Sequence, residues 1–343
     1  MHAGYGNPIL DPNASFPYVI RLVMDDAAHL FGRVHEAVRA ANRILLVAHK
    51  KPDGDTLGSS SGFFNWCLRE GKDVTAFCAD LPPRTFRYID NIHRYTNNPS
   101  VFDRAYDLVI VFDASSLDYC GVDTLIPRIP KGYLFVNVDH HHTNTRYADI
   151  NIVLTTASST AEVVHRFFDA NRVHVDEKMA TCLLTGLCTD TSNFSNAATN
   201  SLAVDAASKL ISRGGRFQDI LTHVWQNQEV DGLKIWGLML SRLQYSPAFD
   251  AAVTYLLEKD ASEGAAEAVD GMSNFLNAVS AETDTILVLR EIPGNQVKGS
   301  FRSMTRDVAA IAQAYGGGGH KKAAGFTTPG RIEVTENGPV IVA

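Results

Sequence analysis

The strongest constraint on the fold is a set of short, continuous apolar runs that each stop on an ionisable side chain. Ile44-Leu-Leu-Val-Ala48 delivers His49, Leu108-Val-Ile-Val-Phe112 delivers Asp113, and Tyr133-Leu-Phe-Val-Asn-Val138 delivers Asp139. A strand that is apolar on both faces must be covered on both, which is how strands of a parallel sheet under two helix layers read. The intervening segments fit. Residues 25–42 place Leu30, Phe31, Val34, Val38 and Ala41 at helical spacing, 57–70 read as a helix stopped by Gly71, and 160–170 and 176–188 read as helices too. Val74-Thr-Ala-Phe77 supplies a further strand. The expected class is therefore α/β with a mainly parallel sheet. Ligands of such sheets bind beyond the carboxyl ends of the strands, so the chemistry is expected on one edge.

The chain's 343 residues exceed the ~250 at which a single core stops growing, which predicts two domains. We read Gln226 to Tyr245 as a helical connector and Ser246-Pro247 as the boundary. Beyond it, Ala251–Leu257, Thr285–Arg290 and Gly299–Ser303 read as strands of a smaller α/β domain. That domain is expected to end in a loop, Tyr315 to Phe326, whose four consecutive glycines let backbone N–H groups approach an anion. The net charge of −7 argues against coating long nucleic acid, since that affinity comes from many Lys and Arg contacts. A small anionic ligand remains compatible with local positive charge. No apolar run approaches the ~18 residues of a membrane span and the start lacks a leader pattern, so a cytoplasmic location without membrane partners is expected. The five cysteines form no Cys-x-x-Cys pair and sit in apolar patterns, which reads as buried reduced thiols.

Five segments place His or Asp where a metal could use them: His49-Lys-Lys-Pro-Asp53-Gly-Asp55, Asp113, Asp139-His140-His141, Asp190, and Gly316-Gly-Gly-Gly-His320. In the first, a loop containing Pro52 and Gly54 can turn one imidazole and two carboxylates towards one centre. Carboxylates with some imidazole suit Mn²⁺ or Mg²⁺, although ligand type alone leaves zinc open. A Pro-Asp-Gly-Asp loop is also an ordinary turn, Asp113 could cap a following helix, and Thr-Asp190-Thr-Ser-Asn resembles a capped loop. Three imidazoles beside an Asp after a buried strand have fewer structural uses.

In this order the set resembles the DHH phosphoesterase family, whose Asp-His-His stands here as Asp139-His140-His141. Residues 44–200 resemble its catalytic domain. Residues 250–326 resemble the DHH-associated C-terminal domain, with Ser300-Phe-Arg-Ser303 and the Gly316 to Phe326 segment as signatures. The compact length is similar to the branch of nanoRNases and pAp phosphatases. With the resemblance placed on the boundaries read above, the expected organisation is a catalytic domain over 1–225 whose residues 1–25 are an irregular extension that the resemblance does not cover, a connector at 226–247, and a substrate-binding domain at 248–343. It implies two Mn²⁺ ions, or another divalent metal such as Mg²⁺, with His49, Asp53 and Asp113 around one and Asp55, Asp113, His140 and Asp190 around the other. Asp113 would bridge them, and a hydroxide between the ions would attack phosphorus. Asp139 would orient His140, and His141 would act at the scissile phosphate. Ser300, Arg302, Ser303, Gly316, Gly317, Gly318, Gly319 and His320 would bind a substrate phosphate, the second domain closing over the cleft.

The function this implies is hydrolysis of short RNA oligonucleotides and linear dinucleotides to mononucleotides, with pAp as a second substrate and no long duplex as partner. Hydrolysis of cyclic di-AMP is the alternative. A RecJ-like exonuclease and a nucleotide sensor without turnover are less consistent with the acidity and with the complete ligand set. A homodimer is compatible with the sequence. His142, standing where the family often has proline, replaces none of the expected ligands.

Overall fold

The computed structural model describes residues 16–343 except 197, 227–229, 248, 262–267, 270, 274, 277–283, 304, 337 and 343. The chain divides into two compact units, Met1–Gln226 and Asn227–Ala343.

In the first unit, α1 (Phe16–Ala40) leads into β1 (Arg43–Ala48), α2 (Gly54–Arg69) and β2 (Asp73–Cys78). Then follow β3 (Tyr95–Thr96), β4 (Leu108–Phe112), the one-turn α3 (Leu117–Cys120), β5 (Leu134–Asp139) and β6 (Ile150–Val153). Helices α4 (Thr160–Ala170), α5 (Glu177–Asp190), α6 (Ser201–Ser212) and the short α7 (Phe217–Ile220) complete it, with a π-helical turn over Leu221–Trp225. All six strands are parallel, in the order β3-β2-β1-β4-β5-β6. The apolar runs therefore form the buried parallel sheet that their composition requires. Alternate residues serve opposite faces: Ile44, Leu46, Ile110 and Phe112 join the core under α2, α4 and α5, while Leu45, Val47, Val109 and Val111 pack with Phe77 and Phe102. This strand order has its switch point between β1 and β4, where the connections leave in opposite directions and open a crevice at the carboxyl ends. His49 and Asp113 are the residues that follow those two strands.

Helix α2 is buried along nearly its whole length. It can sit there because Gly54, Gly58 and Gly62 face α5: a Cβ on Gly58 would lie 2.8 Å from the Gly186 nitrogen, and one on Gly62 would lie 3.0 Å from Leu183. The two helices thus approach at backbone distance.

The second unit contains α8 (Val230–Ser241), β7 (Gln244–Ser246), β8 (Ala251–Leu256), β9 (Thr285–Ile292), β10 (Gln296–Ser303) and α9 (Val308–Ala314). It ends with β11 (Gly318–His320), β12 (Ala323–Pro329), β13 (Arg331–Thr335) and β14 (Gly338–Val342). Its main sheet runs β11-β12-β10-β9-β8-β7, antiparallel except for β8 and β9. Val308 and Ala312 of α9 pack on one face with Val253, Leu287 and Phe301, and Ile235 and Met239 of α8 on the other with Ile286 and Val288.

Several local expectations change. Residues 16–25 are helical rather than irregular, because α1 begins at Phe16; residues 1–15 lie outside the described residues. The helix expected as a connector buries Ile235 and Met239 in the second core. Ser246 ends an edge strand paired with β8, so the turn at Pro247 lies inside that sheet rather than between domains. The glycine segment is not wholly a loop, since Gly318–His320 forms a strand against β12. All five cysteines are buried free thiols. No helix among the described residues is long and apolar enough to cross a membrane.

Candidate metal centre

Four connections at the carboxyl edge of the parallel sheet bring seven of the expected residues together. The loop after β1 carries His49, which is 2% exposed, with Nε2 3.6 Å from Asp53 Oδ1 and 3.5 Å from Asp113 Oδ2. Its Nδ1 lies 2.8 Å from the Lys50 carbonyl, which can only accept, so Nδ1 carries a proton and Nε2 is the nitrogen turned to the centre. Asp53 caps α2, its Oδ1 accepting from the N–H groups of Asp55 and Thr56. Asp55, in the first turn of α2, is fully buried; its Oδ2 accepts from the Thr160 N–H at 2.6 Å and its Oδ1 from the Ala161 N–H at 2.8 Å.

Asp113 follows β4 in the left-handed region, φ 57°, with its N–H donating to the Val138 carbonyl at 2.9 Å. It is not a helix cap, since Ser116 holds that position for α3. Such a conformation in a non-glycine residue costs on the order of 1–3 kcal/mol and clusters at functional sites. His140 Nε2 lies 3.3 Å from Asp190 Oδ2, 3.7 Å from Asp113 Oδ1 and 4.0 Å from Asp55 Oδ2, while its Nδ1 faces the Ala157 carbonyl at 3.3 Å. Asp190 arrives from the C-terminus of α5.

The contacts of Asp139 differ from those expected. Asp139 Oδ1 meets the imidazole of His141, with Nδ1 at 2.8 Å, and reaches His140 only through its backbone N–H. The reason is local: His141 folds back two residues onto Asp139, whereas the His140 ring turns to Ala157. Asp139 is itself fixed by Asn144, whose Nδ2 donates to Oδ2 at 2.6 Å and also reaches Asn137 Oδ1.

Three groups here could each hold a cation: His49 with Asp53 and Asp113; Asp55 with His140 and Asp190; and Asp113 with His140 and His141. Asp113 belongs to two of them, with one oxygen turned to each side. The electrostatics call for added positive charge. Among the described residues, the ion pairs to Asp53, Asp55, Asp113 and Asp190 all come from histidine. Burial, then the charges of Asp113 and Asp190, push the Asp55 carboxyl well above the usual carboxylate range, and burial with Asp113 and Asp53 does the same to Asp190. Asp113 is drawn the other way: burial opposes its charge, but His49 outweighs it. His49 in turn is pushed up to about 12 against its own burial, by Asp113 and Asp53, and His141 to about 9 by Asp139 and Asp113. Asp55 and Asp190 offer oxygens within 4.8 Å of each other, a repulsion of at least ~3.5 kcal/mol at an effective dielectric of ~20 if both ionise. Divalent cations relieve that conflict, and oxygen donors with imidazole suit them.

The remaining expected residues lie in the second unit. Register puts Arg302 opposite Ala323, and Ala323 opposite His320, while Ser300 pairs with Gly325 and Gly325 with Gly318. Ser300, Arg302 and Ala323 therefore share one sheet face. Ser303 does not belong with them: it alternates to the other face, is 1% exposed, and its Oγ accepts from the N–H groups of Thr305 and Arg306. Gly316 and Gly319 have positive φ, and a Cβ on Gly319 would lie 2.7 Å from the Ala323 carbonyl, so part of the glycine requirement comes from the turn into β11 rather than from an anion.

Sequence reasoning passed over Thr160, Asn144 and Tyr119. The Tyr119 ring is 41% exposed with its centroid 5.1 Å from that of His49. Thr160 sits inside Ser159-Thr-Ala-Glu162, a capping-box pattern that marks a helix start and was the available signal.

Comparison with known proteins identifies the relatives of this chain. Residues 43–187 match the family model of the DHH family, N-terminal domain, and residues 250–338 that of the DHHA1 domain. The chain is 30% identical over 299 residues to a bifunctional oligoribonuclease and PAP phosphatase NrnA of Thermus thermophilus, covering 87% of this chain and 88% of the relative. It is 28% identical over 315 residues to the cyclic-di-AMP phosphodiesterase PdeA of Listeria monocytogenes, covering 84% of this chain but 45% of that protein. An exopolyphosphatase-related protein of Bacteroides fragilis shares the fold, with a TM-score of 0.78 at 22% identity over 87% of this chain and 90% of that one.

Proposed function

The chain belongs to the DHH family and is a phosphoesterase, and from that premise we propose that it hydrolyses short oligoribonucleotides and linear dinucleotides to mononucleotides, and pAp to AMP, with two Mn²⁺ ions. The observation that carries the proposal is the position of Asp113, which offers one oxygen to the His49 side and the other to the His140 side at the switch point of the sheet. His49, Asp53 and Asp113 would hold one ion, and Asp55, Asp113, His140 and Asp190 the other. Bound there, divalent ions supply the charge that activates water and stabilises the anionic transition state of phosphate ester hydrolysis.

The chain's own residues do the rest. His49 and His140 turn Nε2 to the centre because backbone carbonyls hold their Nδ1 protons. His141, held at Nδ1 by Asp139, keeps Nε2 as the nitrogen that can hold or give a proton at the leaving oxygen. We assign the first unit to catalysis and the second to substrate binding, through Ser300, Arg302 and the Gly316 to His320 segment. Arg302 suits a phosphate because its planar fork makes two parallel hydrogen bonds. The NrnA relative supports short RNA and pAp, aligning over most of both chains. The PdeA relative favours cyclic di-AMP as the second reading.

The test is a rate panel on pAp, pApA, pGpG, cyclic di-AMP and a 5′-labelled RNA length ladder, each with Mn²⁺, Mg²⁺ and Zn²⁺. The proposal expects Mn²⁺-supported rates highest on dinucleotides and pAp. Preference for cyclic di-AMP would transfer the assignment to the second reading, and a flat dependence on RNA length would remove the short-substrate claim.

A further inference from the structure

We infer that Thr160 is a positioning residue that divides the two oxygens of Asp113 between the two halves of the centre, and that the first turn of α4 holds both buried carboxylates in place. The inference rests on reading the cluster as a metal centre. It adds a determinant that contributes no ligand of its own.

Thr160 is fully buried, and its hydroxyl donates to Asp113 Oδ1 at 2.9 Å. Its backbone N–H donates to Asp55 Oδ2 at 2.6 Å, and the next N–H, of Ala161, to Asp55 Oδ1 at 2.8 Å. One residue thus touches a carboxylate from α2 and another just after β4. A carboxylate oxygen accepts about two hydrogen bonds or ligands in its plane. With the hydroxyl on one lone pair, Asp113 Oδ1 keeps a single direction, and it faces His140 Nε2 and His141 Nδ1, each 3.7 Å away. Oδ2 is left to the His49 side at 3.5 Å. Without the hydroxyl, the Asp113 carboxylate could rotate about its last bond and offer both lone pairs of one oxygen to one side. The turn is itself anchored: Ser159 Oγ accepts from the Glu162 N–H at 3.0 Å, and Glu162 Oε2 accepts from the Ser158 N–H at 2.7 Å while its other oxygen pairs with Arg166. Glu162 is fully buried, so this anchor is not loosened by solvent.

The experiment titrates Mn²⁺ into full-length, EDTA-stripped protein by calorimetry, comparing the natural chain with Thr160→Ser, Thr160→Val and Thr160→Ala. Serine keeps the hydroxyl, valine keeps the shape, and alanine lacks the hydroxyl without placing a new methyl against Asp113. Loss of an outer hydrogen bond to a ligand typically costs ~10–100-fold in metal affinity. Thr160→Val and Thr160→Ala are expected to weaken Mn²⁺ binding by about that factor, with Thr160→Ser close to the natural chain. The Mn²⁺ concentration for half-maximal activity should rise in parallel, with activity recovering at high Mn²⁺. Mn²⁺ binding unchanged in both variants lacking the hydroxyl overturns the inference, and so does a serine variant as impaired as valine. A natural chain that binds no Mn²⁺ instead overturns the metal-centre reading beneath it.

Discussion

Asp113 is held in a left-handed conformation, and its oxygens face different histidines, so its replacement removes a group that no neighbour can supply. Asp113→Ala is expected to lower the rate on pApA by at least ~10²-fold, the scale of losing one strong electrostatic contact to the transition state. Asp139 acts one step back. Asp139→Asn weakens the hold on His141 Nδ1 and on Asn144, and should cost ~10–100-fold in activity with an unchanged circular dichroism spectrum. An undiminished rate would show that the orientation of His141 is immaterial. His165 allows a pH prediction away from the centre. It is 3% exposed, its Nε2 has no hydrogen-bond partner among the described residues, and burial lowers its pKa below 6.5 despite Asp169 nearby. Arg213 and Lys209 add to the lowering and Asp205 opposes it. Between the two pKa values the unfolded chain binds more protons than the native one, so stability rises with pH. The contribution is complete above the unfolded value and is lost as pH falls towards the native one. His165→Gln should therefore lose less urea resistance than the natural chain between about pH 7.5 and about pH 5.5, measured by denaturation midpoints. An equal loss in both would remove His165 as the cause.

At the scale of elements, the centre depends on how closely α2 and α5 pack. Their contact brings Asp55 towards Asp190, and it runs through Gly58 and Gly186, where a Cβ on Gly186 would lie 2.6 Å from Asp55 Oδ1. Gly58→Ala is expected to destabilise by ~1–3 kcal/mol through overpacking, read as a lower urea midpoint. Gly32, in α1, is different: a Cβ there would stand in open space, with nothing within 4 Å, so Gly32→Ala should be neutral or stabilise by up to ~1 kcal/mol. The same residue change is thus destabilising on one helix and not on the other, and equal effects would contradict the packing account. These elements also show what could be read in advance. The parallel strands and their terminal His49, Asp113 and Asp139 were legible because burial on both faces demands uninterrupted apolar runs. The second unit was less so: β7 is three residues long, and β11 is built from glycine and histidine, which carry little strand signal. Ser303 lies on the sheet face opposite Ser300 and Arg302, a difference that a signature read as a string does not carry because neighbouring strand residues face opposite ways. Thr160 escaped because its capping-box pattern marks only a helix start and says nothing of the contact with Asp113, 47 residues away.

For the whole molecule, the two compact units have separate cores, and among the described residues every group able to hold a cation lies in the first. A ligand that binds only the native state stabilises it by about 2.7 kcal/mol at a hundred times its Kd. Mn²⁺ without substrate should therefore slow hydrogen exchange in the strands and helices of residues 43–190 and leave the strands of residues 285–342 unchanged. Equal protection of both units would place the ion elsewhere. The central claim is that the residues beyond β1, β4 and β5, with Asp190, form a two-ion phosphoesterase centre. Its most direct test is single-turnover hydrolysis of pApA by EDTA-stripped protein as Mn²⁺ is added back. The account predicts no product without the ion and full activity restored at about two equivalents. Product release undiminished in EDTA, or saturation at a single equivalent, would contradict it.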